Sequence, residues 1–181
     1  MHETPDTPLA AAIVDDRSID IDAFLAQVVQ RQLAAGLRVR GCLMRRPPRG
    51  PGCAATMHLV DIATSQSYLV SQPMGTNSRA CRADTQGFAR ASAIFRRALG
   101  DASDLVVSNR FGELEVRGEG FCAELLAVMS REIPLLTTVA ARNVEVWRAF
   151  TGGAALLAPD ADEVAAWVAR AVAARPMAQA A

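Results

Sequence analysis

Short apolar runs alternating with longer segments of helical period constrain this chain more than any other feature. LAAAIV (9–14), LRVRGCLM (37–44), DLVVS (104–108) and IPLLTTV (133–139) are brief and bounded by charge, glycine or proline, as buried strands are. Between them, apolar residues recur at helical spacing: Ile21, Phe24, Leu25, Val28 and Leu33, then Phe88, Ala91, Phe95 and Leu99, then Phe121, Leu125 and Met129. Ser18 or Asp20 can cap the first helix and Gly36 ends it. Asn143 can cap a short helix bearing Val144, Trp147 and Phe150. TGGAALLAPDAD then holds a last short strand, and a terminal helix carries Val164, Trp167, Val168 and Val172.

Strand–helix–strand alternation with apolar strands predicts an α/β fold of three layers, a mostly parallel sheet with helices on both faces. MHLVDI and SYLVSQ, joined by the ATSQ turn, predict a β-hairpin inserted after the second strand. Segments 45–52 and 73–83 read as irregular loops, the first because three prolines remove amide donors. A single domain is expected over 9–174, with tails at 1–8 and 175–181.

Composition excludes several chemistries. All 19 basic residues are arginine, so no Schiff base, lysine general base or phosphate-loop lysine exists here. Net charge is zero, which gives no global field toward nucleic acid or an anionic membrane. Cys42, Cys53, Cys81 and Cys122 are widely spaced and the histidines are only His2 and His58, so no metal site of usual spacing is expected. A polar N-terminus and apolar runs too short to span a bilayer point to a cytoplasmic protein with reduced thiols.

In parallel sheets the working crevice lies beyond the carboxyl ends of the strands. Three loops are expected to meet there: Asp15–Ser18, Asn109–Gly118 and Val139–Asn143. They bring Asp15, Asp16, Ser18, Asn109, Arg110, Glu115 and Arg142 into candidacy as ligand-binding residues. Asn109 and Arg110 offer donors, which suit an anion; Arg110 pairing with Asp15 or Asp16 is an equally open reading. TNSRACR (76–82) adds Ser78, Arg79 and Arg82, hydroxyl and guanidinium donors of the kind an oxyanion needs, or else a solvated arginine loop.

The segments AAGLRVRGCLMRR, MHLVDIATSQSYLVSQ, VVSNRFGELEVRGEGF and RNVEVWRAFTGG, spanning about residues 9–151, resemble a bacterial family of unknown function. Its members often carry a motif like NKFGKxE-x-x-G-x-GF, and its genes are often found near molybdate-uptake or molybdenum-cofactor genes. More distantly the order is similar to the small P-loop nucleoside-triphosphatases, implying a P-loop-NTPase-like fold. In those enzymes a Walker A loop wraps phosphate with glycine amides, a lysine and a Ser/Thr. The matching segment here is VDDRSIDID, with neither glycine nor lysine. At the Walker B position the metal-holding Asp matches Asn109 and the catalytic Glu matches Arg110, while Phe111, Gly112 and Glu115 keep the pattern.

The resemblance therefore implies degenerate Walker motifs, no conventional NTP hydrolysis and no assigned catalytic or metal-binding residue. The expected ligand is a small anion, a molybdate- or phosphate-like oxyanion or a nucleotide, with a role in molybdenum homeostasis and Glu115 orienting one of the arginines. Two alternatives stay open: a nucleotide-processing enzyme using the acidic loop to hold metal, and a structural homodimer with a vestigial crevice.

Overall fold

A computed structural model describes residues 7–47, 56–73 and 81–175. Along the chain run β1 (Ala10–Asp15), α1 (Ile21–Ala34), β2 (Val39–Arg45), β3 (His58–Asp61), β4 (Ser67–Leu69), β5 (Ser71–Pro73) and β6 (Cys81–Ala83). They are followed by α2 (Thr85–Gly100), β7 (Leu105–Val107), α3 (Glu113–Val116), α4 (Cys122–Ser130), β8 (Leu135–Ala140), α5 (Val144–Thr151), β9 (Ala155–Leu157) and α6 (Ala161–Ala174). One sheet has the order β4-β3-β2-β7-β8-β1-β9; β5 and β6 form a separate pair. β2, β7, β8, β1 and β9 are parallel, and β3 and β4 extend the sheet as an antiparallel hairpin.

Successive strand side chains point to opposite faces, so a strand covered on both sides must be apolar throughout. β1 obeys this with small residues. Ala10 and Ala12 face a core completed by Phe95 of α2, Leu125 of α4 and Trp147 of α5. Ala11 and Ile13 face a second core completed by Leu25 of α1 and Trp167 of α6. β7 alternates likewise, with Val106 in the first core and Leu105 and Val107 in the second. Each large side chain taken fully out of water contributes about 1.5–3 kcal/mol, so these two layers hold the helices against the sheet.

Gly41 marks where β2 changes partners. Val39–Gly41 pair with β7, whereas Cys42–Arg45 pair only with β3. Its φ of 109° is one that L side chains rarely adopt, and a Cβ there would lie 1.9 Å from the Val107 carbonyl oxygen. Beyond this point the Met44 amide has no partner on β7, and the Asn109 side-chain oxygen accepts its hydrogen bond at 2.7 Å.

Some expectations need correction. Cys81–Ala83, read as irregular loop, forms β6 against β5, and GELEV contains the short helix α3. Asn143 stands at the N-cap position of α5 without a capping side-chain bond. Asp20, not Ser18, caps α1, accepting from the Ala23 amide at 3.1 Å. Pro8, assigned to a tail, is tied to the domain by the Trp167 indole N–H, and Arg175 donates to the Ser103 carbonyl.

Candidate functional site

The carboxyl ends of β1, β7 and β8 bring the three expected loops together. β1 ends at Asp15, and the five residues after it turn the chain into α1. Within that turn the Arg17 amide donates to Asp15 Oδ1 at 3.0 Å and the Ser18 amide to Asp16 Oδ1 at 2.9 Å. Arg17 takes a left-handed φ of 66°, uncommon for a side-chain-bearing residue, as do Ser65 and Glu132 in other turns. Ser18, by its hydroxyl and its amide, holds the Asp16 carboxyl below its usual range.

β7 delivers Asn109 and Arg110 to the same rim. The Phe111 amide bonds the Thr138 carbonyl, and the Thr138 hydroxyl donates to the Asn109 carbonyl at 2.7 Å, which locks this segment beside β8. Asn109 is buried and its amide nitrogen donates to Asp22 Oδ1 at 3.1 Å. The Arg110 guanidinium lies between two carboxylates, 3.5 Å from Asp15 Oδ2 and 3.3 Å from Asp22 Oδ1. Both separations exceed the roughly 2.7–2.9 Å of a well-formed charge-assisted bond. The Arg110 Nε is buried and has no hydrogen-bond partner. Arg46 completes the group, 3.3 Å from Asp22 Oδ2.

Asp22 is the residue that sequence reasoning passed over. One of four aspartates in VDDRSIDID, it accepts from Asn109, Arg110 and Arg46 together. The pairing of Arg110 with Asp15 occurs; the second acid is Asp22 rather than Asp16.

Arg142 and Glu113 meet at 2.8 Å across the β8 and β7 loops, and this bond holds Glu113 below the usual carboxylate range. Asp15, Asp16, Arg17 and Arg142 line a small depression of about 220 Å³. Ser18 belongs to the same turn. Glu115 does something other than orient an arginine. It is buried, with Oε2 accepting from the Gly112 amide and Oε1 from the Phe121 amide, each at 3.0 Å. A carboxylate so placed ties the start of α3 to the start of α4; burial pushes its pKa up against the pull of those amides. Ser78 and Arg79 lie outside the described residues. Only the backbone of Arg82 is described, paired with Gln72.

Cys42 is a buried thiol whose pKa burial pushes up to about 12, an inert filler rather than a nucleophile. Among the described residues no group of three His, Cys, Asp or Glu is placed to hold a metal ion. No described helix is long and apolar enough to cross a membrane.

A family profile described as "Protein of unknown function (DUF2478)" matches residues 10–167, nearly the whole described domain. This chain belongs to that family. Over 143 residues it is 36% identical to the molybdenum import ATP-binding protein ModC 2 of Bradyrhizobium diazoefficiens. That alignment covers 79% of this chain and 16% of that protein, so the chain spans only a small part of this relative. In architecture it is similar to the solution structure of a human cancer-related nucleoside triphosphatase, with a TM-score of 0.60 and 15% identity over 82% of this chain and 86% of the other. The fold is thus an α/β fold similar to that of a P-loop nucleoside triphosphatase.

Proposed function

We propose that this DUF2478 domain is a P-loop-like protein that does not hydrolyse nucleoside triphosphates conventionally and instead binds a small anion, an oxyanion or a nucleotide, in molybdenum homeostasis. A hydrolytic P-loop presents free backbone amides and a lysine to the phosphates, with carboxylates beyond a later strand directed at magnesium. Here the chain's own Asp15 and Asp16 carboxylates take up two amides of the turn after β1. A triphosphate approaching that turn would meet carboxylates, each repelling it by about 1 kcal/mol or more at surface-like dielectric. Where an acid would follow β7, the side chains are an amide and a guanidinium.

The observation that carries the binding reading is Arg110. Its guanidinium makes only long contacts to Asp15 and Asp22, and the side chain is 32% exposed, so N–H groups beyond the buried Nε remain open to an incoming anion. The molybdenum part of the proposal rests on the 36% identity to a protein named for molybdenum import.

The test pairs binding with turnover. The purified chain is titrated by calorimetry with molybdate, tungstate, phosphate and ATP, and phosphate release from Mg·ATP and Mg·GTP is measured in parallel. At least one anion is expected to bind, with affinity reduced tenfold or more in Arg110→Gln, and no phosphate release above the blank. Turnover of a nucleoside triphosphate that disappears in Asp15→Asn would overturn the proposal.

A further inference from the structure

Next to the Arg110 cluster is a cleft that the ion pairs do not use. Its volume is about 230 Å³, below the roughly 300–1,000 Å³ typical of drug-sized ligand sites, so it suits a single ring system. The sheet side supplies Met44, Met57 and Leu59; the helix side supplies Phe88, Leu114 and Phe121. Past Gly41, β2 no longer pairs with β7, and the cleft lies between Met44 and Leu59 of the β2–β3 pair and the residues of the helix side.

Phe88 and Phe121 are already fixed against each other, with ring centroids 5.1 Å apart at 46°. Rings held this way present edges to a further aromatic group, and the thioethers of Met44 and Met57 are polarisable partners for its face. Charge is confined to the borders. Arg46 and Arg110 line the cleft on the side of the crevice. Of the two acids lining it, Glu113 is engaged by Arg142 and Glu115 by the two amides it bridges. An apolar interior with cationic groups at one end selects a ligand that is itself divided, flat and apolar at one end and anionic at the other.

We infer that this cleft takes the heteroaromatic ring of a small anion whose charged end meets Arg110 and Arg46. This rests on the anion-binding reading above and narrows it: the ligand is a ring-bearing anion of nucleotide-like character rather than a bare oxyanion. The ring enters from the β2–β7 side of Arg110, away from the Asp15–Ser18 turn. That turn therefore need not open for the ligand to bind.

Calorimetric titration of the intact chain with inorganic phosphate, molybdate, ribose 5-phosphate, AMP and GMP isolates the ring, because the phosphorylated probes share one anionic group. AMP or GMP is expected to bind at least tenfold more tightly than ribose 5-phosphate. That advantage should vanish in Met57→Trp, which fills the cleft, while any binding of phosphate stays unchanged. Ala83→Leu fills the cleft from β6 and gives the same readout should Met57→Trp fail to fold. Equal affinities for AMP, GMP and ribose 5-phosphate, or binding of phosphate or molybdate alone, would overturn the ring site and leave the anion reading standing. No binding of any of the five would overturn both.

Discussion

Asn109 joins α1 to β2: its amide nitrogen donates to Asp22 Oδ1 at 3.1 Å while its side-chain oxygen accepts from the Met44 amide at 2.7 Å. One neutral side chain thereby satisfies a carboxylate and a strand amide at once. A carboxylate could serve only the second. In N109D, two acids would meet at hydrogen-bond distance inside a buried site, and one must be protonated or pushed away. The variant is expected to lose about 1–3 kcal/mol in urea denaturation at pH 7 and to regain part of it below pH 5, where one carboxyl takes up a proton. Unchanged stability at pH 7 would show that Asn109 is not held as described.

Glu115 bridges the Gly112 and Phe121 amides with separate oxygens. Glutamine has one acceptor oxygen, so in Glu115→Gln one of the two amides faces an NH2 group. A loss of about 1–3 kcal/mol is expected from leaving a buried donor unsatisfied, measurable by chemical denaturation. Gly120 reinforces the point: a Cβ there would sit 2.1 Å from Glu115 Oε1, so Gly120→Ala should displace the same carboxylate.

Acid should weaken the domain partly through Asp61. Burial alone would raise its pKa, but the Arg97 guanidinium, the Ala63 amide and the Thr64 hydroxyl outweigh burial and hold it below 3.8. A depressed folded-state value means the stabilisation is fully present above the unfolded-state value near 3.8, and is lost as pH falls through the folded one. Asp61→Asn is therefore expected to be less stable than the parent at pH 7 by about 1–3 kcal/mol. The gap should narrow below pH 3.8, as followed by thermal unfolding across pH.

Two glycines should respond oppositely to alanine. Gly41→Ala places a methyl 1.9 Å from the Val107 oxygen at a positive φ, and is expected to cost about 4 kcal/mol or to prevent folding. Gly100, the last residue of α2, has open space where a Cβ would go and an ordinary φ. Gly100→Ala should stabilise by about 0.4–1 kcal/mol through the unfolded state. Circular-dichroism melts of the pair decide both.

The parallel strands were legible in the sequence because burial on both faces forces continuous apolar runs, and the helices because one apolar stripe repeats at 3.6 residues. β6 was not, since Cys81–Ala83 has no alternation and owes its strand form to pairing with Ser71–Pro73. α3 is only four residues long, and its buried glutamate looks like any acid in a charged loop. At the crevice, the gathering of Asp15, Asn109, Arg110 and Arg142 could be read from strand ends. Asp22 could not, because its role depends on how the first turn of α1 rotates toward β7, and a sequence separation of 88 hides its contact with Arg110.

The turn after β1 owes its shape to Asp15 and Asp16 bonding the Arg17 and Ser18 amides. A loop that closes on itself need not wait for a ligand to become ordered, and surrenders little freedom when one arrives. Its amide protons should exchange with heavy water at much the same pace in the empty protein as in the occupied one, as befits a fixed wall rather than a closing hand.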